Sequence, residues 1–216
     1  MKKLAVISAD VINSSKFEEK SFLDTIQVLE EPSENYLVHR GEAMLTSRGD
    51  SFQVMIEDVN SAFLKAIYLK SYFKKKEIGL KIGNSQKALD ARISLAVGQA
   101  TAIPEKIGKS FEEPFVLSGR ALDKMKAKKQ TLIITTNNEE YNNELELACL
   151  FLDDILERWT IAQAEVIYYL VQGYKQTEIA QKLNLTQPSV SNRIQLARWS
   201  LIEKMNERFI AIIDKL

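Results

Sequence analysis

The chain has 216 residues, 45% hydrophobic and 27% charged, enough for one large domain or two small ones. Its 29 basic and 29 acidic residues cancel, which excludes a protein that coats nucleic acid by bulk charge; any DNA binding needs local charge. A single cysteine, Cys149, excludes an internal disulfide framework, and no apolar run suits a signal-peptide core or a membrane span, so the sequence reads as soluble and cytoplasmic.

In chain order, the first element is a short buried strand at Leu4 to Ala9, rich in β-branched residues and ending at Asp10. A helix is predicted from Phe17 to Glu31, with Phe22, Ile26 and Leu29 on one face. Pro32 to Asn35 breaks it. Two extended segments follow, Tyr36 to Thr46 and Phe52 to Glu57, with Arg48-Gly49-Asp50 between them as hairpin chemistry. A helix is predicted at Val59 to Phe73, a strand at Arg92 to Gln99, a helix at Val116 to Lys128 and a strand at Thr131 to Thr135. The first six elements have the β-α-β-β-α-β order of a ferredoxin-like core, an antiparallel sheet with its helices on one face, and a further helix and strand complete the α+β unit. It spans residues 1–136. The polar stretch 137–143 reads as a linker, and residues 144–216 read as an all-α domain.

The all-α part carries mutually reinforcing signals. Thr160 and Gln163 form a capping-box pair at the start of a helix bearing Ala164, Ile167, Tyr168 and Val171. Gly173 stands where a left-handed residue would end that helix. A short helix fits Gln176 to Leu183, and Asn184-Leu185 turns the chain. Thr186 then caps a third helix with Gln187 and Pro188 in its first turn and an expected inward stripe of Val190, Ile194, Ala197 and Leu201. Two short helices joined by a tight turn are the helix-turn-helix arrangement. With Val190 and Ile194 inward, Gln187, Ser189, Asn192 and Arg193 are the side chains expected at base edges. Lys175 and Arg198 suit phosphates. From Arg158 to Leu216 there are eight basic and five acidic residues, so one copy should bind weakly and a dimer would help. A three-helix interaction module with a solvated polar face is the plainer alternative. The stretch Gln176 to Ser191 closely resembles the helix-turn-helix of sigma-factor region 4 and of LuxR-type regulators, which implies binding to double-stranded DNA.

In the first domain, Asp10 lies where a buried strand emerges and Asp50 lies at a hairpin turn. Two carboxylates meeting at one sheet edge would suit a hard divalent cation. The strand ending in Asp10, the Gly49-Asp50 turn, the Arg92 to Gly98 strand and the Gly119-Arg120-Ala121-Leu122 helix together resemble a class III nucleotidyl cyclase domain. The whole chain resembles the SatD family. That resemblance implies metal binding by Asp10 and Asp50 (Mg or Mn with nucleotide), a nucleotide contact by Arg120, and pairing of two such domains. The cyclase Asn falls on Val116 here and no purine-selecting pair is visible, so an efficient cyclase is not expected. Ligand sensing and dimerisation are the roles left to this domain, with a metal-dependent nucleotide enzyme or a non-catalytic scaffold as alternatives.

Other singled-out residues have plain readings. His39 has no partner for a zinc site or a Ser-His nucleophile. Cys149 reads as core. Lys74-Lys75-Lys76 and Lys124, Lys126, Lys128 and Lys129 read as solvated helix faces and ends. The expected protein is therefore a homodimeric regulator, a cyclase-like sensing domain followed by a DNA-binding domain.

Overall fold

The first ten-residue strand, β1 (Lys2–Val11), is buried from Leu4 to Val11, as a strand covered on both faces must be. It belongs to a computed structural model that describes residues 1–14, 36–37, 42–47, 50–75, 77–82, 85–101 and 107–216. The predicted helix at Phe17 to Glu31, the break after it, His39, Arg48-Gly49 and Lys76 lie outside the described residues.

Strands β2 (Ala43–Ser47) and β3 (Ser51–Ile56) pair antiparallel on either side of the Asp50 turn. Helix α1 (Ala62–Lys74) follows, entered through a single 3-10 turn at Val59–Ser61. Strands β4 (Glu77–Ile82) and β5 (Ser85–Ala88) form a separate two-stranded hairpin. It is absent from the sequence reading, although Gly83-Asn84 between short alternating segments is a recognisable turn signal. Strand β6 (Ala91–Ala100), helix α2 (Glu113–Lys128) and strand β7 (Leu132–Thr135) complete the unit.

The main sheet has the order β2-β3-β1-β6-β7, making the protein α+β with a mixed, open sheet. The sequence reading expected every strand pair to be antiparallel. The first three pairs are, but β6 and β7 run parallel. The reason is the connection: α2 carries the chain back to the edge where β6 began, so β7 enters in the same direction.

The expectation that helices cover only one face is also corrected. Ala5, Ile7, Ala9 and Val11 of β1 share one core with Phe63, Ile67 and Phe73 of α1. Leu4 and Val6 point the other way, into a second cluster with Met55 and with Phe115 of α2. Period-two alternation sends successive residues to opposite faces, and both faces here are apolar enough to need a helix.

Five helices complete the chain: α3 (Glu139–Glu157), α4 (Ile161–Val171), α5 (Gln176–Lys182), α6 (Gln187–Leu196) and α7 (Trp199–Ile213). Residues 139–143, read from sequence as linker, are the opening of α3. Their polarity serves capping: Asn138 accepts the Tyr141 N–H at 3.2 Å, and Asn142 accepts the Thr136 N–H at 2.7 Å while donating to its carbonyl at 2.9 Å. Among the described residues no helix is long and apolar enough to cross a membrane.

The C-terminal helices pack onto the outer side of α1. Phe63 meets Phe209 of α7 with ring centroids 5.9 Å apart, and Tyr68 meets Tyr168 of α4 at 5.2 Å. Lys75 Nζ sits 3.7 Å from the centre of the Tyr168 ring. Sheet on one side and helices on the other leave α1 buried along all but one of its positions, Leu64 being half-buried.

Its lysines are therefore buried too. Lys65 pairs with Glu42, both side chains almost wholly enclosed. Lys70 donates to Asp90 at 2.7 Å, to the Ala91 carbonyl at 2.9 Å and to Thr131 Oγ1 at 2.8 Å. Lys74, read from sequence as solvated, is 5% exposed and lies 3.2 Å from Asp90. Burial pushes the Asp90 carboxyl up, but Lys70 and Lys74 outweigh it and hold it below the usual carboxylate range.

Lys70→Met, which keeps the stem but leaves Asp90 with one cation, should lower stability by about 3–5 kcal/mol in urea unfolding at neutral pH. A depressed carboxyl adds stability that is complete above its unfolded pKa of about 3.9 and is lost as pH falls through the lower folded value. Asp90→Asn should therefore flatten the acid limb of the stability–pH curve, read from urea midpoints between about pH 2 and pH 6.

Candidate nucleic-acid interface and strand-end carboxylates

Each turn of the α4–α5–α6 unit has a local cause. Thr160 accepts the Gln163 N–H at 3.2 Å while the Gln163 side chain accepts the Thr160 N–H at 3.0 Å. Gly173, at φ +88°, ends α4 in a conformation that side-chain-bearing residues rarely adopt. Asn184 turns the chain between α5 and α6 at φ +52°, and the Leu185 N–H closes the turn on the Ala180 carbonyl at 2.8 Å. Thr186 then caps α6 by accepting the Ser189 N–H at 3.3 Å, with Pro188 in the first turn.

The three helices share a small core of Val166, Ile179, Ala180 and Val190, with Leu183, Leu185 and Ile194 packed against it. Because Val190 and Ile194 face this core, the opposite side of α6 is open. Gln187, Pro188, Ser191, Asn192, Gln195 and Leu196 are exposed there. Gln187 Nε2 donates to Gln176 Oε1 at 2.9 Å, which fixes α6 to the start of α5. Lys175 and Arg198 are exposed at either end of the pair. Between residues 175 and 198 there are four basic side chains and one acidic, so the local surface is positive although the whole chain is neutral.

Two predicted positions differ. Ser189 is half-buried. Arg193 turns away from the open face: it is half-buried and Nη1 donates to the Ala162 carbonyl at 3.5 Å. It stands one residue before Ile194 and three after Val190, on the shoulder of the inward stripe. Ser191 and Gln195 were missed, although counting helical steps from Val190 puts both on the far side. Leu201, expected in the inward stripe, is 51% exposed. The helix does not run through: Arg198 is left-handed at φ +58° and starts α7 on a new axis. Trp159 Nε1 donates to the Ala197 carbonyl at 3.0 Å and pins this corner.

The sheet face beneath α2 changes character along its length. Val6 pairs with Met55 and Ala96, Ser8 with Gln53 and Ser94, and Asp10 with Ser51 and Arg92. Ser8 Oγ lies 2.8 Å from Ser118 Oγ of α2, and Gln53 Nε2 donates to Ser8 Oγ at 3.0 Å. At the charged end, Arg92 Nε donates to Asp10 Oδ1 at 3.0 Å and Lys126 Nζ lies 3.5 Å from Asp10 Oδ2. Burial raises the Asp10 carboxyl, Arg92 and Lys126 draw it back, and the net position stays above the usual range. Asp50 accepts from Ser14 at 2.7 Å and Ser51 at 3.3 Å. Asp10 and Asp50 thus come close across β1 and β3, as expected. The donor set does not fit a divalent ion: both Asp10 oxygens are held by cations, and a metal between them would meet two positive charges. Among the described residues, no group of three or more His, Cys, Asp or Glu residues could hold a metal ion. Arg120 is exposed on α2, outside the Ser118, Ala121 and Met125 stripe that meets the sheet. It does not join the Asp10 group. Cys149 is buried, as expected.

Thr186→Ala removes the cap of α6 and should cost about 1 kcal/mol of global stability, while exposed Ser191→Ala should leave the urea midpoint nearly unchanged.

No protein-family model matches this chain, and a search of curated proteins finds no match to it.

Proposed function

We propose that this protein is a DNA-binding transcriptional regulator in which α5 and α6 act as a helix-turn-helix and α6 enters the major groove. The observation that carries the reading is the division of α6: Val190 is fully buried against α4 and α5, while Gln187, Ser191, Asn192 and Gln195 lie open on the other side. Amide side chains of this kind can bond adenine through two atoms, and the hydroxyl of Ser191 can serve either base. Lys175 and Arg198 take phosphates, fixing register without reading sequence. Arg193 positions α6 by holding the start of α4.

The strands β1, β2, β3 and β6 with α1, together with the helix predicted between β1 and β2, form the ferredoxin-like core of this reading, with α2 and β7 added after it, in keeping with the resemblance to cyclase-like domains and to the SatD family. Its role in this proposal is sensing or dimerisation. Nucleotide chemistry with Mg or Mn receives no support from the Asp10 group, whose charge is already balanced by Arg92 and Lys126. Two copies on a two-fold operator, with half-sites about 34 Å apart, would offset the weak attraction of one modestly charged unit.

Selection from random duplex DNA should enrich one sequence motif. Asn192→Ala and Gln195→Ala should each cost about 1–3 kcal/mol on that motif and relax the base preference at one position. Lys175→Ala and Arg198→Ala should weaken all duplexes alike and reduce the salt slope by about 1 each. A selection that enriches nothing, or retention indifferent to Asn192 and Gln195, overturns the proposal.

A further inference from the structure

The open side of α6 carries no charge. Among the ten residues of the helix only Arg193 is ionisable, and its guanidinium turns back to the Ala162 carbonyl at 3.5 Å. Counting from buried Val190, the residues that fall nearest the direction opposite the core are Pro188, Asn192 and Gln195. Ser191 and Leu196 flank them on either side. All five are exposed, Leu196 by 57%.

Positive charge stands only at the margins of this stripe. Lys175 and Arg198 are exposed at its two ends. Lys182, the remaining cation of the helix pair, is drawn to the Tyr174 ring, with Nζ 4.7 Å from the ring centre. A duplex is therefore attracted at both ends of α6, while its base edges meet a surface of amides, one hydroxyl and two apolar groups. That surface is not neutral toward base type. Guanine offers two acceptors, N7 and O6, which a forked or ammonium cation meets best, and the open side holds no such cation. Adenine offers one acceptor and one donor, N7 and N6, which a single Asn or Gln amide matches through two atoms. Its thymine partner adds a methyl group, which takes an apolar neighbour. Pro188 and Leu196 stand one turn before and one turn after Asn192, so each end of the amide stripe has an apolar surface beside it.

We infer that α6 selects A·T pairs from the major groove, with Asn192 and Gln195 taking adenine and Pro188 and Leu196 meeting thymine methyls. The stripe from Pro188 to Leu196 is about 12 Å long, which spans about three consecutive base pairs at about 3.4 Å each. The assignment rests on the DNA-binding reading above and adds to it the class of base that is read.

The test selects duplexes from a random pool with the full chain, then rebuilds the enriched duplex with altered bases. An A·T core is expected. Replacing thymine by uracil removes one methyl and should weaken binding about fourfold at one or more positions of that core. Leu196→Ala should remove the effect at one of them. Hypoxanthine·cytosine in place of A·T keeps the minor groove but presents guanine-like groups in the major groove. At the pair read by Asn192 it should weaken binding about tenfold, whereas Asn192→Ala should bind both duplexes alike. Both side chains are exposed, so both variants should keep the native circular dichroism. A guanine-containing core, or wild-type affinity indifferent to hypoxanthine·cytosine throughout the core, overturns the base assignment and leaves DNA binding standing. A selection that enriches nothing overturns both.

Discussion

Helix α1 has no free side, and most of the architecture follows from that confinement. The sheet covers it from below, while α4 and α7 cover it from above. A helix buried all round must be apolar or must satisfy each polar group internally. This one does both: its rings and aliphatics fill the core, and Lys65, Lys70 and Lys74 each reach a carboxylate. Lys70 is the deepest. It ties α1 to the start of β6 through Asp90 and Ala91, and to the start of β7 through Thr131, which in turn donates to Asp153 of α3 at 2.7 Å. One ammonium thereby joins two helices and two strands.

The same confinement fixes the C-terminal helices. Helix α4 is apolar on two sides: Ala164, Ile167 and Val171 join the large core with α1, while Val166 joins the small core with α5 and α6. The two halves of the chain therefore share a helix, and they do not behave as beads on a tether. The exposed side of α6 faces away from α4 because Val190 and Ile194 face it. The open side of α6 is thus carried on a platform held by α4, which packs on α1 and through it on the sheet.

Asp10 shows how a motif changes meaning in three dimensions. In the sequence it is a carboxylate at a strand end, and Asp50 is its expected partner. In the fold, β6 brings Arg92 beside it through the β1–β6 register and α2 brings Lys126 over it. The result is a local ion cluster above the buried Ser8 row. Neither cation is near Asp10 in the chain, so no spacing rule could have identified them.

Local physics made the α4–α5–α6 unit readable. Caps, a glycine after a helix and a proline in a first turn act within four residues, so chain order alone places Thr160, Gly173 and Thr186. The continuous apolar run of β1 and the alternation of β6 were equally legible. The parallel entry of β7, the second helical face of the sheet and the burial of Lys74 depended on partners many residues away, whereas the caps made by Asn138 and Asn142 are local and were read as linker polarity. Arg193 lies between these cases: helical periodicity places it beside the inward stripe, but only the packed position of Ala162 draws it from the open face. What the sequence by itself determined were features whose cause is a short-range hydrogen bond or a repeating period. The tertiary structure alone decided which charges were buried and which faces stayed open, because desolvation and ion pairing depend on neighbours that chain order does not specify.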